Sequence, residues 1–227
     1  MKRFLKITAW VVGILLVIIL GFAAFIQIKG IPTYEPQTVD LKVGVTPERI
    51  EQGQKLSAML CSSCHLSEKE QKLSGKEIYD LPKEFGVAYS KNITNDKVKG
   101  IGDWTDGEIY VMLRTGVNRD GLYSPPYMPK FPLMSDEDIY SIIAYLRSDL
   151  PVVQASNLEP PNSEPSFLTK LLCHAAFKPF PLPEKKIVTP DISDQVAYGK
   201  YLVQGQLACF GCHSADFKTV NDLEPEK

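Results

Sequence analysis

The sequence predicts an all-α protein: one helical domain behind a membrane-spanning N-terminal helix, followed by the start of a second copy of that domain. Three observations carry this reading. Twenty uncharged residues, Ile7 to Ile26, form one apolar run. Helix-start signals with apolar stripes at helical spacing recur between residues 46 and 150, where no useful strand-like alternation is found. A five-residue string, Cys-x-x-Cys-His, occurs twice, at 61–65 and 209–213. A chain of 227 residues holds one generous domain or two small ones, not a large multidomain enzyme. With 25 Lys+Arg against 27 Asp+Glu it lacks the basic footprint that nucleic acid would require.

The first element, at residues 1–30, is the stem. As a helix its apolar run spans about 30 Å, the thickness of a bilayer's hydrocarbon core. A secretory signal has a similar shape, and Phe22-Ala23-Ala24 could pass for its cleavage site. Signal sequences, however, carry apolar regions of only about 7–15 residues, so the full-length run favours an uncleaved anchor. Lys2, Arg3 and Lys6 precede the run, which keeps the N-terminus cytoplasmic and exports the rest. The expected location is therefore the inner membrane, single-pass, with the domains on the periplasmic side. The stem carries four bases and no acid, and the remainder 21 bases against 27 acids. Residues 31–45 read as a linker.

Cys61-Ser62-Ser63-Cys64-His65 and Cys209-Phe210-Gly211-Cys212-His213 are the attachment pattern for c-type haem. Residues i and i+3 share a helix face, so both thiols can reach the vinyl groups of one porphyrin. The next residue then places its imidazole under the iron. A structural zinc site would need its two pairs close together, yet 144 residues separate Cys64 from Cys209. A thioredoxin-like motif would need a βαβ setting. The expectation is two covalently attached haem c groups, with His65 and His213 as proximal ligands. For the sixth ligand of the first haem, Met128 lies in a proline-stiffened loop, Ser124-Pro125-Pro126-Tyr127-Met128-Pro129, suited to presenting one side chain. Met134 is the alternative, but it precedes the helix cap Ser135 and reads as a hydrophobic staple. Met112 reads as core.

The first domain, 46–150, follows from its helix signals. Thr46-Pro47 opens a helix through Leu60 into the first haem string. Thr105-Asp106-Gly107-Glu108 is a capping box that starts a second helix, stopped at Gly116, and Ser135-Asp136-Glu137-Asp138 reads as another. Ile139, Ile142, Ile143 and Leu146 form the apolar stripe of this last helix, and Pro151 ends it.

The order of these strings resembles class I cytochromes c. Along the chain it runs Cys61–His65, then 89–96, Gly100-Ile101-Gly102-Asp103-Trp104-Thr105, Arg114-Thr115-Gly116-Val117, Met128-Pro129, and finally Ala144-Tyr145-Leu146-Arg147. More narrowly it is similar to the membrane-bound multihaem cytochrome subunits of bacterial alcohol and sugar dehydrogenases. The match is dense over 47–150 and resumes at 194–213. The resemblance implies that the first and last helices cross at Gly53 against Tyr145. It also implies that Asn92, Trp104 and Arg114 lie near the haem propionates, with plain core packing an even alternative for Trp104.

Residues 151–190 hold eight of the 17 prolines and read as an extended linker. Within it Phe167–Phe180 could form a short amphipathic helix lying on the membrane or on the domain. Cys173-His174 there reads as packing, since Lys170 stands where a third haem string would need its first cysteine. Residues 191–227 read as the start of a second domain, because Gly199-Lys200-Tyr201-Leu202 before Cys209 repeats Gly53-Gln54-Lys55-Leu56 before Cys61. No methionine follows His213, so its sixth ligand is expected beyond Lys227, in a Met-Pro loop roughly 60 residues on, or from a partner subunit.

Filled axial positions leave one-electron exchange as the chemistry. The expected function is electron transfer in a respiratory chain, from a quinol or a dehydrogenase subunit to an oxidase or another cytochrome, as part of a complex rather than as an enzyme by itself. The alternative is a dihaem redox enzyme, of the peroxidase or thiosulfate-oxidising type, with an open or unusually ligated second haem. Expected contacts are a membrane-bound complex and membrane lipid.

Overall fold

The computed structural model describes residues 2–209. Cys212 and His213 therefore lie outside the described residues. The chain opens with α1, Lys2–Lys29, of whose residues only Ile26 is buried. It is one helix long and apolar enough to cross a membrane, with a mean hydropathy of 2.9 in its best window.

The domain core is three helices. α2, Pro47–Leu60, starts where Thr46 Oγ1 accepts from the Arg49 amide at 3.3 Å and Pro47 occupies the first turn. A single helical turn, α3, Ser62–His65, follows directly. α4, Asp106–Thr115, opens on the complete capping box: Glu108 N donates to Thr105 Oγ1 at 3.1 Å and Thr105 N to Glu108 Oε2 at 2.7 Å. It ends at Gly116, whose φ of 81° is the left-handed stop that glycine supplies without a Cβ clash. α5, Asp136–Leu146, buries Ile139, Ile142, Ile143 and Leu146 against Leu56, Ile109 and Leu113.

α2 and α5 form the principal helix pair, and Gly53 is what lets them cross. A Cβ added there would stand 1.9 Å from the Ser141 carbonyl oxygen and 2.7 Å from Tyr145 Cβ. Arg147 locks the other end of α5, donating to Asp106 at 3.1 Å and to the Ile101 carbonyl at 2.9 Å.

The cap of α5 differs from expectation. Ser135 Oγ does accept from the Asp138 amide at 3.2 Å, but the reciprocal half of the box is absent. Ser135 N donates instead to the Tyr201 hydroxyl at 3.0 Å. The Asp138 carboxylate takes hydrogen bonds from Tyr201 Oη, from Gln206 Nε2 at 2.7 Å and from Gln52 Nε2 at 3.1 Å. Asp138 is shorter than Glu by one methylene. It points into neighbouring helices rather than back to its own cap. Tyr201 and Gln206 come from α7, Gln195–Tyr201, and the π-helical turn at 202–206, so this segment docks on the N-terminus of α5.

The proline-rich stretch is extended, but it is not a free tether. It is strapped to the domain along its length. A two-residue antiparallel ladder pairs β1, Gly86–Val87, with β2, Glu164–Pro165. Further along, Phe180 N donates to the Thr115 carbonyl at 3.3 Å, and Ile187 N to Asp136 Oδ2 at 3.0 Å. Thr189 Oγ1 donates to Ser135 Oγ at 2.8 Å. Between these points runs α6, Phe167–Ala175, capped by Ser166.

Candidate haem site

The first haem string sits where α2 ends. The Cys61 carbonyl accepts from Cys64 N at 3.2 Å and His65 N at 2.8 Å, which is one tight helical turn carrying both thiols and the imidazole. Burial pushes the Cys61 thiol up to about 11. The turn is clamped from outside. The Ser90 hydroxyl donates to the Cys64 carbonyl at 2.6 Å, and Gly75 N donates to the His65 carbonyl at 2.9 Å.

His65 is buried, with its Nδ1 2.8 Å from the Lys91 carbonyl oxygen. A carbonyl can only accept, so Nδ1 carries the proton and Nε2 is left with its lone pair. No hydrogen bond reaches Nε2 among the described residues. Burial also holds the imidazole below the ordinary histidine range, against the pull of the Lys91 carbonyl, so it is neutral at pH 7. A neutral imidazole with a fixed tautomer and a free Nε2, one residue after a pair of thiols on one helical turn, fits a covalently attached haem.

The loop with Met128 closes on itself through Met128 N to the Pro125 carbonyl at 3.1 Å. Met128 packs on the core from its half-buried rim, together with Leu60, Leu66, Ile93 and Trp104. Met134 is fully buried in the same core as Ile139, the pairing a staple requires.

Of the residues expected beside the propionates, Asn92 commits both amide hydrogens to the Ser156 and Leu158 carbonyls, at 2.7 and 2.9 Å. Its Oδ1 accepts from Thr94 N and Oγ1. Asn92 therefore ties the strap to the loop. Trp104 packs on the core, with the Arg119 guanidinium 5.9 Å above its ring. Arg114 has no exposed surface. It pairs with Asp136 at 2.7 Å and donates to the Phe131, Pro132 and Met134 carbonyls. Its Nε is buried without an acceptor.

Two contributors escaped sequence reasoning. The Lys91 carbonyl and the Ser90 hydroxyl orient the haem string, and a backbone acceptor has no residue-type signature. Cys209 is described, while its partner Cys212 is not. Cys173 is fully buried beside Val117, Tyr123, Ile31 and Tyr34, and His174 Nε2 lies 3.0 Å from the Gly30 carbonyl. Among the described residues no His, Cys, Asp and Glu side chains cluster as a metal site.

Residues 50–149 match the family model described as cytochrome c. The chain is similar to the cytochrome c subunit of a quinone-dependent alcohol dehydrogenase from Gluconobacter oxydans, with 34% identity over 68% of this chain and 32% of that protein. It is also similar to the cytochrome c subunit of gluconate 2-dehydrogenase from Pantoea cypripedii, 31% identical over 68% of this chain and 35% of the other. A dihaem c-type cytochrome of Cereibacter sphaeroides is 28% identical over 89% of this chain and 68% of its own length. The chain spans about a third of the two dehydrogenase subunits. The thiols and imidazole on one turn, the free Nε2 and the family match converge: residues 50–149 are a cytochrome c domain, of the family of electron carriers whose haem c is joined covalently to the polypeptide.

Proposed function

We propose that the chain is a membrane-anchored dihaem cytochrome that takes electrons from a dehydrogenase subunit or quinol and passes them to an oxidase or another cytochrome. The observation that carries the reading is His65, neutral, buried and held by the Lys91 carbonyl with Nε2 free. On this reading Cys61 and Cys64 would hold the first haem, and His65 and Met128 would be the protein ligands of its iron. Cys209, Cys212 and His213 hold the second. Bound haem supplies an iron that alternates between ferric and ferrous states.

The chain's own residues set the conditions for that exchange. The Lys91 carbonyl fixes which imidazole nitrogen would be free for the iron. The half-buried rim of Leu66, Ile93, Trp104 and Met128 lowers the local dielectric, and two protein ligands would leave no open position for substrate. The propionate role expected of Asn92, Trp104 and Arg114 falls best to Arg114, whose buried Nε has no acceptor. Relatives named as dehydrogenase cytochrome subunits support a dehydrogenase donor. A relative named as dihaem supports the second haem. The length and apolarity of α1 support the anchor.

Intact mass of protein made in cells competent for haem attachment is expected to exceed the polypeptide by two haems. A mass raised by one haem would remove the dihaem reading, and an unmodified mass would remove the whole proposal. In the ferric protein, Met128→Ala is expected to abolish the weak absorption near ~695 nm that a sulfur ligand gives, and to open the ferrous first haem to carbon monoxide. If Met134→Ala has these effects instead, the ligand is Met134.

A further inference from the structure

The helix α6 is buried on one face and apolar on its outward one, where a soluble helix is polar. Its inward face is Thr169 and Cys173, at 2% and 0% exposure. A neighbouring face meets the end of α1: Lys170 Nζ donates to Gln27 Oε1 at 3.1 Å, His174 Nε2 lies 3.0 Å from the Gly30 carbonyl, and the Phe25 and His174 rings stand 6.1 Å apart. At helical spacing the remaining, outward arc carries Phe167, Leu168, Leu171 and Ala175, without one polar side chain. Phe167 and Leu168 are 42% and 40% exposed, and Phe177, just past the helix, is 39% exposed.

The position of α6 decides what covers that arc. Phe25, Gln27 and Gly30 stand at the end of the uncharged run of α1, where a spanning helix leaves the hydrocarbon. From Phe167 to Pro183 there is no acidic residue, while Lys170 and Lys178 flank the arc. Exposed phenylalanines beside lysines, with nothing to repel anionic headgroups, are the composition of a helix lying in the lipid interface.

We propose that the outward face of α6 rests in the bilayer surface from which α1 emerges, a second membrane contact that fixes the tilt of the haem domain. This rests on the reading of α1 as a membrane span. The strap carries the constraint to the haem site, since Ser166 N donates to the Phe85 carbonyl at 3.1 Å and Asn92 holds residues 156 and 158.

The test uses the full-length haem-loaded protein in vesicles of phosphatidylcholine and phosphatidylglycerol. p-Benzoylphenylalanine is placed singly at the positions of Leu168, Phe177, Leu16 and Val98, and lipid adducts are read by mass after irradiation. Leu16 reports on the α1 span, and Val98, 84% exposed in the turn after Asp96, sets the background. Adducts at 168 and 177 several-fold above that background are expected. Adducts at 16 with only background at 168 and 177 would overturn the α6 contact and leave the span standing. Background yield at 16 as well would overturn the span itself.

Discussion

Arg114→Met is expected to destabilise the domain by about 3–5 kcal/mol, read from denaturant unfolding followed at the haem absorbance. The guanidinium has no access to water, and it is the cation for Asp136, whose side chain is 4% exposed. Without it Asp136 keeps only neutral donors, Tyr110 Oη at 2.8 Å and Ile187 N at 3.0 Å. The carbonyls of Pro132 and Met134 also lose their donor, and that of Phe131 keeps only the Met134 amide at 3.4 Å. The charge matters more than the lost packing, because Met fills similar volume but leaves a buried anion unpaired. Arg119→Met is the comparison. Its partners Asp103 and Glu108 lie at 3.7 and 3.4 Å, and Arg119 itself is 32% exposed. An exposed pair of that kind contributes about 0.5 kcal/mol. If the two substitutions cost the same, the buried network does not hold the domain together. The double change Arg114→Met with Asp136→Leu should recover part of the loss, since the orphaned charge goes with its partner.

Gly53→Ala is expected to cost about 3 kcal/mol or more, at the upper end of what overpacking does. The clash is with backbone: a Cβ 1.9 Å from the Ser141 carbonyl oxygen has no rotamer to escape into. α2 and α5 must then separate, and α2 delivers Cys61 directly to the haem turn. Gly199→Ala provides the contrast. Gly199 sits within α7 with nothing inside 4 Å of a new Cβ, so the loss of a helix-interior glycine should stabilise by about 0.5–1 kcal/mol. Equal shifts in the two midpoints would sink the close-crossing argument.

The contrast shows what the sequence could and could not disclose. Helix starts at Thr46, Thr105 and Ser135 were legible because a cap is a local hydrogen bond between residues three apart. The haem string was legible because its chemistry needs fixed residue types at fixed spacing. The partners of Asp138 were not: Gln52, Tyr201 and Gln206 approach from 86, 63 and 68 residues away. Nor was the carbonyl of Lys91, whose side-chain identity is irrelevant to what its backbone does. The prolines of 151–190 signal extended chain, but extended backbone also offers regularly spaced unpaired amides. The domain uses several of them, at Ser166, Phe180 and Ile187.

That strap changes what counts as the portable unit of this protein. The family match stops at 149, which invites a cut there for grafting the domain onto another enzyme or an electrode. Such a fragment would keep the haem turn but strip the Asn92 amide of both its acceptors and Asp136 of its Ile187 donor. Each is a buried polar group left facing water it was folded to exclude. Residues 31–206 keep these partners, and they keep Tyr201 and Gln206 on Asp138 as well. A redox module engineered from this chain is best taken with its belt on.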